Sequence, residues 1–415
     1  MSLFDWFKPH DQANKNATTN AASDSLHDEL HKTIVTYGVS NRKLTGDGKT
    51  FEDGRWSAPI DTDTHYFKQT VELTGKNGDF HTTSTSKPEV ISKDEFVKGV
   101  ADEVRAAKGK LGIYTHGIRT AAGEAGQSAA ELSADTGKPF VAEDWASTKA
   151  TGLLSAAHQE KADDKASFQS QPMIDASVSE LAQKYSASNI DMVAHSRGSM
   201  NQIRALANLQ AKDLGSVHSA TFAHSDVDLT DFDYALPSFK KAAEHINVVY
   251  NPNDNALRLA EIQRFGQVAV FGNQSGFEQS ERLGRVGLSP SDATGNYYTA
   301  SKTPNYFSIA KDQQNDFVGH AFAPNLVASM IAEPSDFKSF STLARPAEVQ
   351  KSNSLLSPIS RLGHIFTAAP RFAFRIMSPA RQLYDIVSAS PEVQTFVSHA
   401  QVGGTYAFAD LYPEV

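Results

Sequence analysis

The chain has 415 residues, of which 40% are hydrophobic, 21% charged and 9% aromatic, the balance of a folded, water-soluble protein and not of a fibre or a disordered tail. It contains no cysteine, which excludes disulfides, thiolate metal sites, iron–sulfur clusters and a thiol nucleophile together. The formal net charge of −9, from 39 basic and 48 acidic residues, excludes a surface that is basic as a whole, so nucleic acid is not an expected partner.

The first residues, MSLFDWFKPH, set Leu3, Phe4, Trp6 and Phe7 around Asp5 and lack the apolar run of about 7 to 15 residues that marks a Sec signal. No stretch reaches the roughly 20 apolar residues of a membrane-spanning helix. The expected location is the cytoplasm or, by a route other than Sec, the outside of the cell. Residues 1–31, rich in Asn, Ala, Thr, Ser and Asp, read as a flexible tether. Residues 32–90 read as a β-rich entry region, because segments such as Thr33–Tyr37 and Tyr66–Val71 alternate between Gly and Asp turns.

Over 91–340 helices alternate with short apolar strands, the pattern of βα units on a mainly parallel sheet. Ser92 and Glu95 form a capping box ahead of a helix with Phe96, Val97, Val100 and Val104 at helical spacing. Strands are expected at Leu111–Tyr114, Pro139–Ala142, Asn189–Ala194, Ser219–Ala223, Ile246–Tyr250 and Gln267–Phe271, with helices over Ile174–Tyr185, Asn201–Leu209 and onward from Asn325. Residues 341–415 read as a basic, amphipathic C-terminal extension. Between 345 and 384, Arg345, Lys351, Arg361, Arg371, Arg375 and Arg381 face the single acid Glu348, with Leu362, Ile365, Phe366, Phe372, Phe374, Ile376 and Met377 between them. Such a segment suits a membrane surface or an acidic partner, or packs as a helix with snorkelling arginines.

The strongest chemical signal is Met192–Gly198, an apolar strand that runs into Ala194-His195-Ser196-Arg197-Gly198 and then a helix, the setting of a nucleophile elbow. The tight turn needs small residues at 194 and 198 and lifts the Ser196 hydroxyl clear of the sheet. A serine needs a base, and the base needs an acid to hold it. Asp254 follows the strand Ile246–Tyr250, and His320 follows the last plausible strand, so Ser196, Asp254 and His320 stand in the chain order of this fold. Asp226 and Asp228 are alternative acids, and His224, His245 and His364 are competing bases. Oxyanion donors are expected from the Arg197 amide and from Gly117 or Ile118 in the His116-Gly117 turn. Trp145, at a strand end, reads as core or as a pocket wall.

At Thr115-His116-Gly117, Trp145, Ala194–Gly198, Ala223–Asp228, Asn253–Leu257 and Gly319-His320 the sequence resembles the α/β-hydrolase superfamily. In particular it resembles the bacterial family described as alpha/beta hydrolase of unknown function, related to lipases and esterases. His224-Ser225 stands where Ala-Pro is usual in that family, and Arg197 where Met is common. The resemblance implies an α/β-hydrolase fold with a mainly parallel central sheet flanked by helices, plus the N-terminal β-rich region and C-terminal helical extension. It implies a Ser196–His320–Asp254 triad that cleaves carboxylic esters through an acyl-enzyme, with no metal or organic cofactor. The basic aromatic segment tilts the expected substrate towards lipid or phospholipid acyl esters. The layout is similar to that of exported bacterial lipases that attack competitor membranes, with an export or immunity protein as the implied partner. A non-catalytic binding module on the same fold and an amide or peptide hydrolase are the competing readings.

Overall fold

The computed structural model describes residues 29–52, 60–76, 79–147, 153–250, 254, 256–257, 260, 282–286, 305–308, 320, 322 and 324–332. The chain divides into two compact units, Met1–Gln263 with Glu281–Leu343 and Arg264–Ser280 with Ala344–Val415. All described residues lie in the first. The tether before residue 29, the strand expected at Gln267–Phe271 and the basic 345–384 segment lie outside the described residues.

The first unit is built on one sheet. Its strands are β1 (Leu30–Arg42), β2 (Ile60–Lys76), β3 (Asp79–Thr85), β4 (Glu89–Ile91), β5 (Leu111–Thr115), β6 (Phe140–Asp144), β7 (Ile190–His195), β8 (Val217–Ala223), β9 (Ala243–Tyr250) and β10 (Asn305–Ser308). They run in the order β10-β9-β8-β7-β5-β6-β1-β2-β3, with β4 also paired to β2. From β10 to β1 every pairing is parallel. The β2 pairings with β1, β3 and β4 are antiparallel. The N-terminal strands therefore extend the central sheet, because β1 lies directly against β6.

The parallel strands read as short apolar runs because both of their faces are covered. All five residues of β5 and of β6 are buried. One face carries α1 (Lys93–Ala106), α3 (Leu153–Tyr185), α4 (Gly198–Ala211) and α5 (Leu229–Phe239). The capping box at α1 forms, with Ser92 Oγ accepting the Glu95 N–H at 3.1 Å. On the other face Tyr114, Ala142, Val193, Ala223 and Val249 pack with Ala125, Ala129 and Leu132 of α2 (Glu124–Thr136) and with Val327 and Ile331 of the helix Pro324–Ala332. Several elements depart from the sequence reading, among them helix α5 and strand β10, which it did not include. Helix α3 begins at Leu153, more than 20 residues ahead of the expected start, and spans Pro172. Helix α2 was not anticipated at all.

Candidate active site

In an open parallel sheet, side chains from separate strands converge beyond the carboxyl ends. That edge collects Gly117 after β5, Ser196 after β7, His224 after β8, Asp254 after β9 and His320 beyond β10.

Ser196 is the apex of the turn between β7 and α4, with a left-handed φ of 52° that a non-glycine residue seldom adopts. Hydrogen bonds hold the turn from both sides: its N–H donates to Ala223 O at 2.9 Å, and its carbonyl accepts from the Asp226 N–H at 3.2 Å. Gly198 is required here, since a Cβ would lie 2.4 Å from His116 O and 2.6 Å from Thr115 O. Arg197, just before the first residue of α4, sets its peptide N–H at the positive end of the helix dipole.

Ser196 Oγ lies 2.9 Å from His320 Nε2, and His320 Nδ1 lies 2.7 Å from Asp254 Oδ2. A carboxylate accepts only, so the ring carries its proton on Nδ1 and offers the Nε2 lone pair to the serine hydroxyl. Asp254 is fully buried, and its Oδ1 accepts the Leu257 N–H at 2.9 Å. Burial works to raise its pKa, but the interaction with His320 and hydrogen bonds from His224 and His320 outweigh it and hold the carboxyl at about 2. The arrangement keeps a buried negative charge behind an imidazole that faces a hydroxyl, which suits proton transfer from serine.

Two further histidines complete the cluster. His224 Nδ1 lies 3.1 Å from the same Asp254 Oδ2. His195 donates from Nε2 to the His320 carbonyl at 3.0 Å, and its ring lies 5.0 Å from that of His320. Burial, then electrostatic coupling to the His320 and His224 rings, holds the His195 pKa well below the usual imidazole range, so the ring stays neutral. The alternative acid Asp226 pairs instead with Arg197 (2.8 Å) and Arg282 (3.2 Å), and Arg197 also reaches Asp164 at 3.1 Å. Asp228 forms a backbone bridge with Arg282. Among the described residues, His224, Asp254 and His320 are the one group whose ligand-type atoms lie close enough together, within 4.8 Å, to hold a metal ion. Both imidazoles direct Nδ1 at Asp254, so a metal and this hydrogen-bond network would compete for the same atoms.

The His116-Gly117 turn lies against the serine. A Cβ on Gly117 would stand 2.8 Å from Ser196 Cβ, so only glycine permits this approach. Behind the turn its carbonyls are tied down: His116 O accepts from Trp145 Nε1 at 2.7 Å, and Gly117 O from His116 Nδ1 at 2.7 Å and Thr120 Oγ1 at 3.2 Å. The Ile118 carbonyl is 3.5 Å from Thr120 Oγ1. Trp145 is fully buried and stacks on His116 at 5.0 Å, which makes it part of this brace.

A second brace was not anticipated. Arg42 at the end of β1 is fully buried and donates Nε to both Asp144 oxygens at 3.0 Å, Nη1 to Ser147 O at 2.8 Å, and Nη2 to Thr120 O at 2.7 Å and Trp145 O at 3.1 Å. His116 Nε2 stands 3.2 Å from Asp144 Oδ1. The only hint in the sequence was a pair of acids, Glu143 and Asp144, at the end of an apolar strand.

The sheet order, the strained serine turn and the converging strand ends together define an α/β-hydrolase fold. Residues 92–295 match the family described as alpha/beta hydrolase of unknown function (DUF900). No curated protein matches the chain. Solved structures with similarity include an esterase/lipase from an uncultured bacterium, at 10% identity and a TM-score of 0.28, covering 68% of this chain and 85% of that one. The thermostable carboxylesterase EstE1 from a metagenomic library matches at 10% identity with a TM-score of 0.29, over 73% of this chain and 88% of its own. A puromycin-hydrolysing peptidase from Mycobacterium tuberculosis matches at 9% identity with a TM-score of 0.25, over 71% and 52% respectively.

Proposed function

We propose that the protein is a serine hydrolase that cleaves carboxylic esters. The observation that carries this reading is the continuous hydrogen-bond path from Ser196 Oγ through His320 to Asp254, at 2.9 and 2.7 Å, assembled from three separate segments of the chain. Ser196 Oγ attacks the ester carbonyl while His320 Nε2 takes its proton, and Asp254 stabilises the imidazolium that forms. His320 returns the proton to the departing alkoxide, leaving an acyl group on Ser196. Water, deprotonated by the same imidazole, then releases the acid and restores the serine. The Arg197 amide and the Gly117 or Ile118 amide serve as oxyanion donors. The close approach of Gly117 to Ser196 supports that role, as do the braced carbonyls behind it.

Lipid or phospholipid acyl esters are the proposed substrates, supported by the alternation of cations and large apolar side chains between 345 and 384, which suits contact with a lipid surface. Labelling with a fluorophosphonate probe, with hydrolysis of p-nitrophenyl esters of increasing chain length and of phospholipid vesicles in parallel, tests the reading. We expect labelling and hydrolysis in the native protein and neither in Ser196→Ala. Equal labelling of both proteins, or none of either, removes Ser196 as the nucleophile. Labelling without ester turnover redirects the same triad to an amide bond.

A further inference from the structure

We infer that His224 is a positioning residue for the triad acid: its Nδ1–H fixes the Asp254 carboxylate in the orientation that His320 needs. The inference rests on the serine-hydrolase reading above and goes beyond it, since a triad requires only one imidazole on its acid.

Three observations carry it. First, Asp254 Oδ2 is shared by two imidazoles, His320 at 2.7 Å and His224 at 3.1 Å, while Oδ1 takes the Leu257 N–H at 2.9 Å. The carboxylate is thereby held from three directions, and only the His320 contact changes during turnover.

Second, His224 is built to stay in place. It follows β8 with a left-handed φ of 47°, and its N–H donates to Val249 O at 2.9 Å. Gly284 packs against its backbone so closely that a Cβ there would lie 2.3 Å from His224 C and from Ser225 N, and the Gly284 N–H donates to Ser225 O at 2.9 Å. A rigid donor just after β8 therefore anchors an acid that follows β9 in the chain.

Third, the His224 ring is 2% exposed, and its Nε2 has no hydrogen-bond partner among the described residues. A carboxylate only accepts, so in this contact His224 Nδ1 carries the proton. Burying so polar a ring is unfavourable unless it is hydrogen-bonded, and the contact with Asp254 is what offsets that cost. As the Ser196 proton moves to His320, that ring becomes cationic and pulls on Asp254. A second, stationary donor keeps the carboxylate from following it.

Geometry supplies a discriminating test. An asparagine amide nitrogen falls near the place of His Nδ1 and asparagine accepts the left-handed backbone, whereas a glutamine amide falls near Nε2 and leucine has no donor. The rate of fluorophosphonate labelling is measured for the native protein, Ser196→Ala, His224→Asn, His224→Gln, His224→Leu, Asp254→Asn and the double variant His224→Gln/Asp254→Asn, each with its thermal midpoint. We expect His224→Asn to stay within about threefold of native, and His224→Gln and His224→Leu to lose about 10- to 100-fold, the scale of a small misplacement in a reacting array. His224→Gln should cost nothing further once Asp254 is asparagine, because residues acting through one group are non-additive. Equal rates for the asparagine and glutamine variants, or additive losses in the double variant, overturn the inference and leave the serine-hydrolase reading intact. Native labelling that is absent, or that persists in Ser196→Ala, overturns both.

Discussion

Ser196 and His224 both adopt left-handed backbone conformations, at φ 52° and 47°, and both face the same hydrogen-bonded cluster. Strain of this kind persists only where the surroundings over-determine it. Two substitutions probe the cluster at this scale. Asp254→Asn should lower kcat by about 10³- to 10⁴-fold, since an amide favours the wrong imidazole tautomer; steady-state ester hydrolysis reads the loss. Gly117→Ala should lower kcat by about 100-fold with little change in thermal midpoint, because the added methyl displaces the turn from Ser196 and not the core. Much of this cluster was legible in the sequence. A small-x-Ser-x-Gly turn after an apolar strand, followed by an acid and a histidine after later strands, is a local pattern with a fixed order. The work of His195 and His224 was not legible. Their partners are 125 and 30 residues away, and nothing in the immediate neighbourhood of either residue points to them.

Among the elements, β1 does more than extend the sheet. Its last residue, Arg42, binds Asp144 and the carbonyls of Thr120, Trp145 and Ser147, and so ties the turns after β5 and β6 to one guanidinium. Burial works to raise the Asp144 pKa, but Arg42 and His116 outweigh it and keep the carboxyl ionised. Arg42→Met would strand that charge in the interior. We expect a loss of about 3–5 kcal/mol, the usual cost of breaking a buried pair, measured by urea unfolding. Strands β5 to β9 were readable because burial on both faces makes them short and apolar. Helix α2 was not, because it packs through Ala125, Ala129 and Ala130 with Leu132 as its one large buried side chain, which leaves a faint helical periodicity. Only the C-terminal part of α3 was read as helix. Gln159, Glu160, Lys161, Asp163, Asp164 and Lys165 make its early turns polar, and its buried residues there include Asp163 and Ser167.

Across the whole molecule, stability should depend on pH through Glu143. Burial, opposed by the hydrogen bond from Thr115 at 2.7 Å, raises its carboxyl to about 8. Below pH about 4.5 it is protonated whether folded or unfolded and has no effect. Between about 4.5 and 8 only the unfolded chain ionises, so stability falls as pH rises, by up to about 1.4 kcal/mol per pH unit. Glu143→Gln keeps an acceptor for Thr115 and should flatten that slope; urea midpoints across pH 5–8 measure it, and an unchanged slope would rule Glu143 out as the source. The family match spans residues 92–295, while the sheet that holds the site begins at Leu30 and the imidazole on Ser196 belongs to residue 320. A gene fragment cut at the boundaries of that match would leave β6 as an outer strand. Its Phe140, Val141 and Ala142, all buried in the full sheet, would lie along an open row of peptide groups, and such a strand seeks another chain to pair with. The fragment should therefore be recovered as aggregate, and anyone producing this hydrolase fold in the laboratory should start the expressed chain ahead of β1.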